Sequence, residues 1–430
     1  MPTLETTAQE LLNSRVRGLR PSSTLAINEK CARLKEQGRT IYQLGFGQSP
    51  FTVPKPVVAA LRANAFQRDY LPVKGLRELR AAVASYHRRK ESISATEDDV
   101  LIGPGTKELM FLLQLTFNGD LLIPSPSWVS YEPQATLVGK RVCLIETTNE
   151  DGWRLLPDRL EQLCLEDPAP ARLLILKYPN NPTGLTYRDD ELKALATVAR
   201  RYEIVILADE IYAELDHSAS HASIARYYPE RTIISSGLSK WCGAGGWRLG
   251  WFWFPSALRW LVEAMSVVAS ETFSAVSAPI QYAAVQAMHG GEAMDRYLTQ
   301  SRRILRALGR HVSEQLRGAG VQVHSPQGAF YLFPDFAPHR ESLRARGIVT
   351  SADLTERLLD ETGVATLPGS DFGRPPEELT CRIAYVNFNG SACLPAANNV
   401  PEDQELSVEF LAKHCAGVLE AFEIIGDWLK

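Results

Sequence analysis

Three short runs in the middle of the chain constrain its fold more than anything else in it. Arg172 to Lys177 (RLLILK), Ile204 to Ala208 (IVILA) and Thr232 to Ser235 (TIIS) are nearly unbroken apolar segments. A strand with one face in water alternates apolar and polar residues; a strand covered on both faces need not. Longer stretches of helical character separate the runs, so this region reads as an α/β sheet with crossover helices. Each run ends in a turn rich in chemically capable residues: Asn180-Asn181-Pro182-Thr183-Gly184, then Asp209-Glu210, then Ser236-Gly237. In open α/β sheets ligands bind beyond the carboxyl ends of the strands, which makes these turns a candidate site.

A chain of 430 residues exceeds one ordinary core, and at least two domains are expected. From about Tyr297 a basic helical stretch leads into strand-like pieces, GAFYLFPDF and CRIAYVNF, and a closing helix near Leu406 to Leu429. That reads as a second, α+β domain, with the extended Ile41 to Pro50 packed beside it. The expected division is 1–52 as an N-terminal segment packing with the small domain, 53–296 as the large domain, and 297–430 as the small domain. Between Asn387 and Glu405 lies a polar stretch long enough to be read as a mobile or functional loop.

Apolar residues make up 45% and charged residues 22%, with a net charge of -4 and interspersed signs. Those values exclude a nucleic-acid or membrane-surface partner selected by charge. No apolar run reaches the roughly 18 residues of a membrane span. Met1 to Glu10 is polar and carries acids, unlike a secretory or transit signal, so a cytoplasmic protein is expected. Seven cysteines without a CxxC pair suit neither a disulfide framework nor a zinc site, and no metal is expected. Most are read as buried apolar residues; Cys242, two positions after Lys240, is considered for reactivity and given little weight.

The stretch Ser236-Gly237-Leu238-Ser239-Lys240-Trp241-Cys242-Gly243-Ala244-Gly245-Gly246-Trp247-Arg248-Leu249-Gly250 is the most informative. Its lysine directly follows a buried strand and enters a Gly-rich turn. A desolvated lysine near another cation has a lowered pKa and becomes a nucleophile towards aldehydes. Arg248 stands close enough to share a phosphate with the turn's backbone N–H groups. Spacing alone leaves open a plainer reading, a Gly-rich loop that happens to carry two basic residues.

The run Gly237-Leu238-Ser239-Lys240-x-x-Gly243-Ala244-x-Gly246-x-Arg248-Leu249-Gly250 resembles the pyridoxal 5′-phosphate (PLP) attachment signature of the class I/II aminotransferases at every specified position. Further landmarks of that family follow in order between Gly45 and Phe388. The resemblance implies fold type I: a large domain with a mostly parallel seven-stranded sheet flanked by helices, plus a smaller α+β domain from both chain ends. It implies PLP held by Lys240 as a Schiff base. It also implies Asp209 on the pyridine nitrogen, with Tyr212 and Asn181 on the cofactor's phenolic oxygen. That charge on the ring nitrogen is what makes PLP an electron sink.

Gly105, Thr106 and Lys107, at the start of an apolar helix read as Glu108 to Phe117, match the family's phosphate site; a helix N-terminus favours an anion. Ser239 and Arg248 join them, and Trp128 matches the aromatic residue stacked on the ring. Tyr70, ahead of Gly75-Leu76-Arg77, matches a tyrosine that reaches the neighbouring subunit's phosphate, implying a homodimer with shared active sites. Arg382 matches the arginine that grips the substrate's α-carboxylate, and Gly47 a glycine lying against the substrate, with Asn181 and Trp128 beside it. In a subgroup acting on aspartate and prephenate, a lysine at the place of Lys107 holds the distal carboxylate, which hints at an acidic substrate. The alternatives at each position are a helix cap, an ordinary turn, a core tryptophan or a surface tyrosine.

The expected activity is transfer of an amino group from an L-amino acid to a 2-oxo acid by a ping-pong route. Lys240 serves as the base, with Asp209 and Tyr212 assisting. Other PLP chemistry on this fold, a β-lyase or an oxidase, is the alternative, and a non-catalytic PLP-binding protein a more distant one. The chain departs from the family at Gly237, where a phosphate-binding serine is common, at Gly47-Gln48-Ser49-Pro50-Phe51, and at Val386-Asn387-Phe388. Those departures bear on the substrate more than on the cofactor.

Overall fold

The computed structural model describes residues 11–19, 21–167 and 171–430, so the reading of Met1 to Glu10 lies outside the described residues. In chain order the strands are β1 (Tyr42–Gln43), β2 (Val100–Gly103), β3 (Asp120–Ser125), β4 (Val142–Glu146), β5 (Arg172–Lys177) and β6 (Val205–Asp209). They continue with β7 (Thr232–Gly237), β8 (Gly250–Trp253), β9 (Tyr331–Leu332), β10 (Val364–Ala365), β11 (Leu367–Pro368) and β12 (Cys381–Ala384). Seven of them form one sheet in the order β2-β8-β7-β6-β5-β3-β4. β8 runs antiparallel to both its neighbours, and the other pairings are parallel.

The apolar runs are the centre of that sheet, and the reason for their lack of alternation is visible. Leu173 and Ile175 of β5 and Val205 and Leu207 of β6 pack into one core layer, with Leu109, Leu113, Leu261 and Met265 from the covering helices. Leu174, Leu176, Ile206 and Ala208, one residue out of step, pack into the opposite layer with Leu160, Leu192 and Leu195. Side chains still alternate; both faces are covered. The helix Asp189–Arg201 shows how a layer is built. It carries three acids in its first turn, Arg200 and Arg201 in its last, and a buried stripe of Leu192, Leu195, Ala196 and Ala199. The charges oppose the helix dipole and the stripe faces the sheet, each fully buried leucine contributing about 2 kcal/mol.

Beyond residue 290 the elements are shorter. β12 pairs with β11 on one side and β9 on the other, both antiparallel. The N-terminal segment joins this region: β1 pairs in parallel with β10, Tyr42 beside Val364 and Gln43 beside Ala365. Several sequence expectations need correction here. GAFYLFPDF and CRIAYVNF yield only β9 and β12 as strands; beyond them Gly328 and Asp335 make isolated bridges, and Val386 to Phe388 leave the sheet half-buried. The closing helix is two, Val408–His414 and Ala416–Trp428, broken at Cys415. The apolar helix after Gly105 begins at Thr106, not Glu108. The change of character near Tyr297 falls inside one continuous helix, Glu292–Gly318.

The Asn387–Glu405 stretch is also not an open loop. It contains the helix Gly390–Ala397, whose first turn is capped by Asn389 Oδ1 accepting from the N–H groups of Ser391 and Ala392. The buried Arg303 guanidinium then donates to the carbonyls of Val400, Pro401 and Gln404 at 3.2, 2.6 and 2.8 Å. No helix among the described residues is long and apolar enough to cross a membrane.

Candidate active site

Sheet register builds the centre of the site. Lys177 on β5 lies beside Asp209 on β6, which lies beside Ser235 on β7, so three strands end together. Lys240 follows β7 three residues beyond Gly237. A cavity of about 500 Å3 opens there, lined by Gly47, Thr106, Lys107, Trp128, Asn181, Asp209, Tyr212, Ser239, Lys240, Arg248 and Arg382, all singled out from the sequence. Lys177, Tyr331, Gln48, Phe46, Thr24 and Leu25 complete much of its wall.

Lys240 Nζ donates to the Gly47 carbonyl at 2.7 Å. Burial first, then the cationic Lys177 and Arg382, pull its pKa from the usual lysine value down to about 7. An amine so placed is neutral at a pH where a surface lysine is not, and therefore nucleophilic. Asp209 is almost fully buried. Its Oδ2 accepts from Lys177 Nζ and from the Tyr131 hydroxyl, both at 2.5 Å, while Oδ1 has no partner. A buried carboxylate oxygen left unpaired is costly, so the place calls for a donor from a ligand.

Tyr212 and Tyr331 share a hydrogen bond of 2.6 Å. Burial, followed by the neighbouring Tyr331, pushes the Tyr212 hydroxyl well above the usual range, so it stays protonated as a donor. Arg382 comes from β12, across the domain junction. It donates to Asn181 Oδ1 at 3.2 Å and to the Gly45 carbonyl, and its Nε has no partner. A fully buried guanidinium with donors to spare is a site for a carboxylate.

The anion cradle lies at the start of the helix Thr106–Thr116. Gly105 has φ of +88°, and a Cβ there would strike the Arg248 guanidinium. Arg248 itself sits in the left-handed region at φ 54° and donates to the carbonyls of Gly245 and Pro104. Gly237 shows why serine is missing: a Cβ would come within 2.8 Å of the Leu249 carbonyl and 2.9 Å of Gly250 Cα. Backbone crowding, rather than loss of the site, explains that departure. Cys242 is fully buried, with its thiol pushed up to about 12, which removes it as a reactive group.

Two expected residues stand apart. Gly105 cradles Arg248 from behind the wall, and Tyr70 is 93% exposed, away from the cavity of its own chain. Lys177, Tyr331 and Gln48 went unassigned in the sequence, and Tyr131, read there with Trp128, Phe46 and Phe51 as a wall for an aromatic or aliphatic substrate side chain, instead donates to Asp209. Lys177 left a signal, a charge ending an otherwise apolar run beside the aspartate strand; Tyr331 left none, since its neighbours are equally aromatic.

Comparison with known proteins identifies the family. Residues 39–389 match the family described as aminotransferase class I and II. The chain is 33% identical over 388 residues to an aspartate aminotransferase of Bacillus sp., covering 88% of this chain and 95% of that one. The chain belongs to the class I and II aminotransferases. It is 32% identical over 367 residues to an aspartate/prephenate aminotransferase of Thermus thermophilus, covering 84% of this chain and 91% of that one. The fold of the Thermus thermophilus aspartate aminotransferase with maleate superposes with a TM-score of 0.82 at 29% identity, over 97% of this chain and 99% of that one. This aminotransferase is therefore a fold type I, PLP-dependent transaminase. Its residues fit the cofactor: Asp209 Oδ1 lacks a donor, Arg248 lines the cavity beside Thr106 and Ser239 as a cation for an anion, and Lys240 is a nucleophilic amine.

Proposed function

We propose that this transaminase exchanges amino groups between dicarboxylic amino acids and 2-oxo acids, working as a cytoplasmic homodimer. The charge of the cavity carries this reading: Lys107, Lys177, Lys240, Arg248 and Arg382 line it, against Asp209 as the carboxylate among the described lining residues. Lys177 is paired with Asp209 and Lys240 is a neutral amine near pH 7, so with Arg248 facing the phosphate and Arg382 the α-carboxylate, Lys107 is the cation left for a second substrate carboxylate. Lys107 is the group for that carboxylate. Its ammonium lies 5.0 Å from the Trp128 ring centre, and burial followed by the nearby Arg248 lowers its pKa. The names of the Bacillus and Thermus relatives support an aspartate-like substrate, and maleate, present with one of them, is a dicarboxylate.

In this reading the seven-stranded sheet and its helices form the cofactor domain, while the described part of the N-terminal segment and the elements from the helix Glu292–Gly318 onward form the smaller one beside it. Lys240 anchors PLP, with Gly105, Thr106, Lys107, Ser239 and Arg248 around its phosphate. Asp209 faces the ring nitrogen, Asn181 and Tyr212 the phenolic oxygen, and Trp128 the ring. PLP supplies the electron sink for bond-breaking at the substrate's α-carbon. The protein does the rest. Arg382 and Asn181 hold the α-carboxylate against Gly47, which fixes which bond lies ready to break. Lys240 Nζ, an amine with its pKa lowered to about 7, would take the substrate's α-proton as a base matched to neutral pH. Tyr70 reaches the phosphate of a second copy.

The test is a half-reaction panel: PLP-loaded protein mixed with one amino acid at a time, without acceptor, following the cofactor's visible band. Aspartate and glutamate are expected to bleach it with one equivalent of 2-oxo acid and no ammonia. Bleaching by aromatic or aliphatic amino acids alone would overturn the acidic substrate, and ammonia release would point to lyase chemistry.

A further inference from the structure

The strongest feature that the cofactor reading leaves unused is the lysine at the end of β5. Lys177 is 7% and Asp209 2% exposed at the side chain, and their Nζ and Oδ2 meet at 2.5 Å, the length of a charge-assisted hydrogen bond. Burial lowers the Lys177 pKa and the Asp209 charge partly offsets this. A buried ion pair is costly to desolvate and gives weak net stability, so its presence inside a reaction cavity calls for a use. The Lys177 ammonium stands 5.1 Å from the Tyr212 ring centre and 5.8 Å from that of Trp128; the Lys240 ammonium stands 5.7 Å from the same Tyr212 ring. Two lysines therefore flank one tyrosine, between the aspartate and the anchoring amine.

We propose that Lys177 is a positioning residue for the cofactor: it occupies one oxygen of Asp209, so that the ring nitrogen must use the other, and it sets a fixed positive charge beside the Lys240 nitrogen. The proposal rests on the transaminase reading above. Oδ2 is fully committed, to Lys177 and Tyr131, and Oδ1 is buried without a partner. A carboxylate held this way cannot rotate to offer either oxygen, which fixes the depth and tilt at which a ring can be gripped. The second effect is electrostatic. The groups facing Lys240 are Lys177 from β5, Asp209 from β6, Arg382 from β12, and Arg248 from the Gly-rich turn. Of the three cations, Lys177 acts on Lys240 most strongly, Arg382 and Arg248 being directed at anions that accompany the substrate and cofactor. Its effect persists through both half-reactions, because no ligand neutralises it.

The experiment compares PLP-loaded wild-type protein with Lys177→Gln and Lys177→Met, titrating the visible band of the bound cofactor with pH and measuring the PLP dissociation constant separately. Glutamine keeps a donor for Oδ2 without the charge, and so keeps Asp209 partnered and the fold intact; methionine removes both. Loss of the charge is expected to raise the midpoint of the titration by about one pH unit in both variants. Only Lys177→Met is expected to lose cofactor affinity, by about tenfold, because only there does the second oxygen lose one of its two donors and rest on Tyr131 alone. Midpoints equal to wild type in both variants overturn the charge role, and equal PLP affinity in all three overturns the positioning of Asp209. A wild-type protein that shows no band at all overturns the transaminase reading itself, and a normal wild-type band with unaffected variants overturns this proposal alone.

Discussion

An amine that is half-deprotonated near pH 7 reacts under conditions where surface lysines stay inert. In cofactor-free protein, labelling of Lys240 by an aldehyde and borohydride is expected to rise through about pH 7, because the neutral form attacks and that form gains as pH climbs past the lowered pKa. Peptide mapping across a pH series checks it; a midpoint near the ordinary lysine value would mean the cations do not act on Lys240. The Lys240→Ala protein should lose turnover by about 10⁴-fold and the visible band entirely. For Lys107→Ala, KM for aspartate should rise by about tenfold more than KM for alanine, a difference that a shared loss of cofactor affinity would not produce. At this scale the sequence was legible wherever a motif surrounds the residue. Lys240, Asp209 and Arg382 stand in recognisable runs, and the cavity brings them together from three separate places in the chain. Lys177 was not assigned and Tyr131 was read as a wall for the substrate, because their meaning is a contact with Asp209 across the register of neighbouring elements, which no local pattern encodes.

Elements are held by backbone constraints that a side-chain reading passes over. Gly237→Ser, which installs the residue common in relatives, should lower stability by about 1–3 kcal/mol, since its Cβ meets the Leu249 carbonyl where β7 and β8 run side by side. Thermal denaturation and a PLP titration would separate this from any gain in phosphate binding; a more stable, tighter-binding variant would contradict the crowding. Arg303→Met should release the segment from Val400 to Gln404, seen as faster proteolysis there and a loss of about 2–4 kcal/mol, because three carbonyls lose a buried cationic donor together. The long apolar strands of the large sheet were readable from the chain because both their faces are covered. The two-residue strands β10 and β11 were not, since so short a pairing is set by its neighbours, and the Asn387–Glu405 stretch looked open because its anchor, Arg303, lies far away in sequence.

At the scale of the whole molecule, the proposed homodimer turns on Tyr70. Its side chain is almost bare in a single chain, and its place ahead of the helix Arg77–Glu91 suits a reach into another copy. Mixing Lys240→Ala protein with Tyr70→Ala protein and exchanging subunits should restore activity, because one of the two sites then pairs an intact Lys240 with an intact Tyr70. No recovery, in a mixture shown to have exchanged, would place Tyr70 outside the site.

The wall of the cavity also sets a timetable. Lys240 rests on the carbonyl of Gly47, Arg382 holds the carbonyl of Gly45, and β1 between Ile41 and Leu44 needs β10 as its edge. A chain emerging from the ribosome can complete its large sheet while its first fifty residues still have nothing to lie on. Only when residues near 365 and 382 have followed does the beginning of the chain settle, and only then does the amine meet its resting partner. A product ending before Val364 would keep Lys240 and most of the wall, but would lack the guanidinium that holds Gly45 and the strand that holds Tyr42 and Gln43 in line.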